Sequence, residues 1–141
     1  MKISARNQLE AVVCDVKTGA VNSQIGAKLV GGEILNAIIT VESEKNLDLK
    51  VGKEVLFIFK APSVIIAKPD NSGMKLSARN QLTGSVKVVN MGAVNAEVIV
   101  NLKENQEISA IITRESAQNL ALNVGDEVIA IIKSSSIIIG A

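Results

Sequence analysis

The chain has 141 residues, 48% of them hydrophobic, and 15 Lys and Arg against 14 Asp and Glu leave a net charge of +1. That balance removes the broad positive surface expected of a nucleic-acid binder. The absence of histidine removes the commonest general base, the usual transition-metal ligand and every Ser-His or Cys-His pair.

Along the chain, Met1–Asn7 reaches polar residues too soon for a secretory h-region, and no apolar run approaches membrane-spanning length. A first extended run covers Gln8 to Val16. It contains the single cysteine, Cys14, which excludes an intrachain disulfide, fits a reducing cytoplasmic setting and reads as a packing residue. After a Lys17–Ala20 turn a second run extends from Val21 to Leu29, and Gly31-Gly32 turns into a third strand, Ile34 to Ile39. Thr40 is a natural N-cap for a short helix ending near Asn46. Beyond Val51-Gly52 come two strands, Glu54 to Lys60 and Ser63 to Ile66, separated by Ala61-Pro62. Val, Ile, Leu and Ala must fill the core, because the only aromatics are Phe57 and Phe59. Five short strands with a helix between the third and fourth is the order of an OB-type Greek-key barrel.

The pattern then repeats. Met74–Ala141 lies on Met1–Lys68 without a gap, about half of the aligned positions are identical, and Pro69–Gly73 between them reads as a polar linker. Two domains, 1–68 and 74–141, follow, in an all-β fold of two tandem OB-like barrels. Domains so small have little stability to spare, which favours association into a homo-oligomer.

Two copies in one chain keep identical what a shared fold or a shared function needs. The longest identical block is Ser4-Ala5-Arg6-Asn7-Gln8-Leu9, repeated as Ser77-Ala78-Arg79-Asn80-Gln81-Leu82. Being mostly polar or small, it is poorly explained by core packing. Gly19-Ala20-Val21-Asn22 recurs as Gly92-Ala93-Val94-Asn95, Ala37–Thr40 as Ala110–Thr113, Glu42-Ser43 as Glu115-Ser116, and Lys60 as Lys133. Each copy thus retains one Arg, one Lys, several hydroxyls and a helix start, all able to donate hydrogen bonds. Such a set suits a tetrahedral dianion. The plainer readings are that Arg6 and Lys60 are solvated surface residues, and that the Gly-Ala-Val-Asn segments are only tight turns. Glu42 and Glu115 fit a helix N-terminus and should point away from an anion.

Ser-Ala-Arg-Asn-Gln-Leu, Ile-Thr-x-Glu-Ser and Ile-x-Lys-Ser/Ala-x-Ser, found twice in that order, resemble the Mop domain of the molbindins, small cytoplasmic proteins that bind molybdate and tungstate. The resemblance covers both copies and implies a non-enzymatic protein with no cofactor, whose ligand is molybdate or tungstate. It also implies three chains assembled as a ring of six domains. One kind of site would join Ser4 and Arg6 to Thr40, Ser43 and Lys60 of a neighbouring domain, and copy two would offer Ser77, Arg79, Thr113, Ser116 and Lys133. Ala61 stands where copy two has Ser134, so copy one would lack one hydroxyl contact. For the second kind of site, near the threefold axis, the candidates are the backbone amides of Gly19, Ala20, Val21, Asn22, Gly92, Ala93, Val94 and Asn95. A detached sensing or accessory domain for a transporter or regulator is the alternative. An OB-type nucleic-acid module is disfavoured by the shortage of stacking aromatics, and neither a nucleic acid nor a membrane is an expected partner.

Overall fold

The computed structural model covers residues 1–141. Each copy contributes five strands and a helix of six residues. Copy one has β1 (Asn7–Thr18), β2 (Asn22–Leu29), β3 (Ile34–Thr40), α1 (Val41–Asn46), β4 (Glu54–Phe59) and β5 (Val64–Ala67). Copy two has β6 (Asn80–Met91), β7 (Asn95–Asn101), β8 (Glu107–Thr113), α2 (Arg114–Asn119), β9 (Glu127–Ile132) and β10 (Ile138–Gly140). These agree closely with the strands and helix expected from the sequence. Alternation drives them: Asn7, Leu9, Ala11 and Val13 of β1 point inward while the residues between are exposed.

β1 serves two partners, β4 through its first half and β2 through its second. The ladder to β2 slips between Val13 and Asp15, a bulge at Cys14 that bends the strand from one partner to the other. The same slip occurs in β6 at Lys87, the equivalent residue. A bulged position makes no regular pair, which explains how a half-buried thiol and an exposed lysine occupy the same place.

The main departure from the simple tandem picture lies in the fifth strands, which are exchanged. The sheets run β10-β4-β1-β2-β3 and β5-β9-β6-β7-β8, so each copy's last strand completes the other copy's sheet. Ile138, Ile139 and Gly140 pair with Ile58, Phe57 and Leu56, while Val64–Ala67 pair with Ile132–Ile129. After β4 the one-turn 3-10 helix Ala61–Ser63, with Pro62 at its start, carries the chain across to pack on β8. Its equivalent, Ser134–Ser136, packs on β3. One hydrophobic cluster drawn from both copies therefore forms the core, with Phe57 and Phe59 fully buried in it. Lys68, just past β5, fastens this crossing by donating to the Ala121 carbonyl at 3.0 Å and pairing with Asp126 at 3.1 Å.

Candidate functional site

The repeated hexapeptide lies where the copies meet. Asn7 is 2% exposed, and its amide donates to the Ser109 carbonyl and accepts from the Ser109 N–H, both at 2.8 Å. Asn80, 1% exposed, does the same to Asn36, the equivalent residue of copy one, at 2.8 and 2.7 Å. A side-chain amide has the donor and acceptor of a peptide group, so each Asn acts as one rung of β-ladder on an edge strand of the other copy. Gln8 and Gln81 donate to the carbonyls of Ala5 and Ala78, and Leu9 and Leu82 are buried. Half of the block is therefore architectural, a correction to the expectation that packing explains little of it. The signal was present in the sequence: an Asn identical in both copies between a charged residue and an inward-facing strand.

Ser4, Arg6, Ser77 and Arg79 remain exposed. Asn7 pairs with Phe59, so Arg6 and Lys60 are the residues immediately beyond that pair on neighbouring strands of one barrel. Asn80 pairs with Ile132 and leaves Arg79 and Lys133 in the same relation. Within the chain, Lys60 thus lies beside Arg6 at the strand ends of its own copy. The guanidinium of Arg6 reaches Glu97 on β7 of the other copy. Glu97 is opposite Ile111, two residues before Thr113, a strand distance of about 7 Å.

Thr113 and Thr40 cap the two short helices. Thr40 Oγ1 accepts from the Ser43 N–H at 3.1 Å and donates to Ser43 Oγ at 2.9 Å; Thr113 and Ser116 repeat this at 3.0 and 2.8 Å. The hydroxyl-to-hydroxyl bond leaves the proton of each serine free to donate outward. Thr40 and Ser43 line a cavity of about 250 Å³ together with Ile137, Ile138 and Ile139 of copy two, the segment that follows Lys133. Glu42 and Glu115 are exposed. Ser134 is buried, and its hydroxyl accepts from Asn80 at 3.5 Å, whereas the equivalent Ala61 is buried without a polar group.

At the Gly19–Asn22 and Gly92–Asn95 turns, the Gly N–H donates to the Asn carbonyl at 2.9 and 2.8 Å. A Cβ on either glycine would come within 2.6 or 2.7 Å of that carbonyl oxygen, so close approach demands glycine here. The amides of Ala20, Val21, Ala93 and Val94 make no backbone bond and stay available to a ligand. Arg114, which carries no repeat signal because Val41 stands in its place in copy one, donates to the Gly92 carbonyl at 2.8 Å and brings a cation to the second turn only. No group of three or more His, Cys, Asp or Glu could hold a metal ion. No helix is long and apolar enough to cross a membrane.

The TOBE domain model matches twice, at residues 3–66 and 76–139. Among solved structures, the cytoplasmic molybdate-binding protein ModG with molybdate bound superposes with a TM-score of 0.96 at 46% identity, covering 100% of this chain and 99% of that one. Molybdenum-pterin-binding protein MopA of Rhodobacter capsulatus is 38% identical over 99% of this chain and 52% of its own length. Molybdenum transport protein ModE of Azotobacter vinelandii is 37% identical over 99% of this chain and 51% of its own length. The chain thus spans about half the length of these two relatives.

Proposed function

The chain belongs to the TOBE-domain family in its tandem molbindin form, and from that premise we propose that it binds molybdate or tungstate as an intact dianion at faces between barrels. One observation carries the reading. On each side an Arg–Lys strand end of one copy is docked on a strand of the other copy that runs out into a Thr-capped, Ser-bearing helix start. Such a site offers charge-assisted and neutral donors together, which suits an unprotonated tetrahedral anion. Ser4, Arg6, Lys60, Thr113 and Ser116 form one set, and Ser77, Arg79, Lys133, Thr40 and Ser43 the other. The Gly-Ala-Val-Asn turns supply amides for a second kind of site.

The protein works without catalysis, as a cytoplasmic store of the anion, in units whose sequence limits are 1–68 and 74–141. It acts as a homo-oligomer, three chains forming the ring. Supporting this, large apolar side chains are exposed at matched positions of both copies: Val21 and Val94, Val51 and Val124, Ile65 and Ile138. A site completed by a second chain would make ligand and assembly stabilise each other by mass action. A sensing or accessory role is the second reading, favoured by relatives twice as long as the matched region.

Titration calorimetry with molybdate, tungstate, sulfate and phosphate, with mass measured alongside, tests the proposal. Saturable binding of the first two is expected. The double variant Lys60→Ala/Lys133→Ala should lose about 1.5–3 kcal/mol per site, the worth of a hydrogen bond to a charged group. Unchanged affinity in that variant would remove the lysines from the site, and a stable monomer would remove the assembly.

A further inference from the structure

The two arginines of the repeated hexapeptide are not in the same electrostatic state. Arg6 is paired with Glu97, which is held in turn by Asn90 donating to its other oxygen at 3.2 Å. Arg79 takes part in no ion pair, because copy one has Gln24 where copy two has Glu97 and Lys17 where it has Asn90. Gln24 turns instead toward Asn36, donating to its side chain at 3.4 Å. The Glu97 side chain is 21% exposed, against 51% for Arg6, so the carboxylate is the more firmly seated member of the pair.

We infer that Glu97 is an internal competitor for the Arg6 guanidinium and divides the oxyanion sites of the chain into a weak Arg6 class and a strong Arg79 class. The inference rests on the proposed oxyanion reading. Through Oε2 the carboxylate occupies a donor edge of the guanidinium that an oxyanion would otherwise engage, so the two exclude one another there. While it remains nearby, its charge also repels an incoming dianion. Occupation of the Arg6 site requires the Glu97 pair to open, whereas Arg79 needs no such step. The strong class therefore fills first as anion rises, and the weak class extends the range over which the protein takes it up.

The test is calorimetric titration of the full-length chain with molybdate, comparing the wild type with Glu97→Gln, Gln24→Glu and the exchange of both. Two affinity classes are expected for the arginine sites of the wild type, apart from anion held at the Gly-Ala-Val-Asn turns. Glu97→Gln should strengthen the weak class about fivefold, the scale of a partly exposed ion pair, and draw the two together. Gln24→Glu should weaken the strong class by a similar factor, and the double exchange should transfer the weaker affinity to Arg79. Arg6→Ala and Arg79→Ala identify the classes, each abolishing its own. Classes assigned in this way but unmoved by Glu97→Gln and Gln24→Glu would overturn the role of Glu97 while leaving the oxyanion sites standing. Arginine variants that bind molybdate like the wild type would overturn the site reading and the competitor with it.

Discussion

The two barrels share a backbone and solve the same local problem with different chemistry. Where α1 packs on β1 and β2 of copy one, Thr18 and Ser23 both donate to Glu44, at 2.7 and 2.6 Å. The equivalent trio in copy two is Met91, Ala96 and Ala117, with Ala96 and Ala117 buried. A hydrogen-bonded carboxylate and a patch of apolar packing are thus interchangeable at one junction. The junction between copies tolerates far less: Asn7 and Asn80 are identical, make the same paired bonds, and sit over a continuous core. Positions inside one barrel can trade polar for apolar contacts as a set, whereas positions that satisfy the other copy's edge strand must keep a peptide-like group.

The largest effect should come from removing residues 137–141. Copy two loses its own terminus, yet the damage falls on the barrel of copy one, since β10 completes that sheet and Ile137 and Ile139 are buried in the common core. Loss of one buried Ile side chain typically costs about 2–5 kcal/mol, so loss of both should consume much of a domain's stability of about 5–15 kcal/mol. Hydrogen exchange should show Glu54–Phe59 unprotected while Glu127–Ile132 remain slow. Uniform loss in both barrels would mean that the exchanged strands do not define separate folding units.

Next in size are the asparagines. Asn7→Ala and Asn80→Ala each leave an edge N–H and C=O without a partner, at a cost of about 1–3 kcal/mol. Asn80→Ala should be the worse, because Asn80 also donates to the Ile132 carbonyl at 3.0 Å and to Ser134. Urea unfolding of the two variants ranks them, and equal values would make the Ser134 and Ile132 bonds idle.

The smallest effect concerns acid. Bonds from Ser23 and Thr18 hold the Glu44 carboxyl below its ordinary value of 4.5. A carboxylate depressed by folding contributes stability that is present above the unfolded value and fades as pH falls through the folded one. Thermal unfolding from pH 5 downward should therefore decline less steeply in Thr18→Met/Ser23→Ala/Glu44→Ala than in the wild type. Some decline must persist, because Asp126 of copy two is lowered in the same sense by the Asn123 N–H and by Lys68. A triple variant with wild-type acid sensitivity would remove Glu44 from this role.

Much of this was legible in the sequence. Strand alternation, the Thr40 and Thr113 caps and the repeat itself follow from local chemistry, and they give the barrels and the helix starts. The exchange of β5 and β10 was not legible, because Ile65 and Ile138 fit either barrel by pattern, and only the path taken by Ala61–Ser63 and Ser134–Ser136 decides between them. Arg6, Lys60 and their equivalents could be named as donors from their repetition. Their adjacency depends on the register of β1 with β4 and of β6 with β9, and the Glu97 contact joins residues far apart in the chain. Asn7 was overlooked because a polar residue repeated beside an arginine looks like part of a ligand set until its burial is known.

The crossed fifth strands bear on how the chain is made. A ribosome delivers β1 to β4 long before β10, so the first barrel emerges with one side of β4 uncovered and stays so until Ile138–Gly140 clear the exit tunnel. During that interval β5, of the same chain or of a neighbouring nascent one, is the available substitute, since its apolar pattern fits either barrel. Closure of the first barrel therefore waits on the arrival of β10, and its speed bears on whether chains mature singly or entangled.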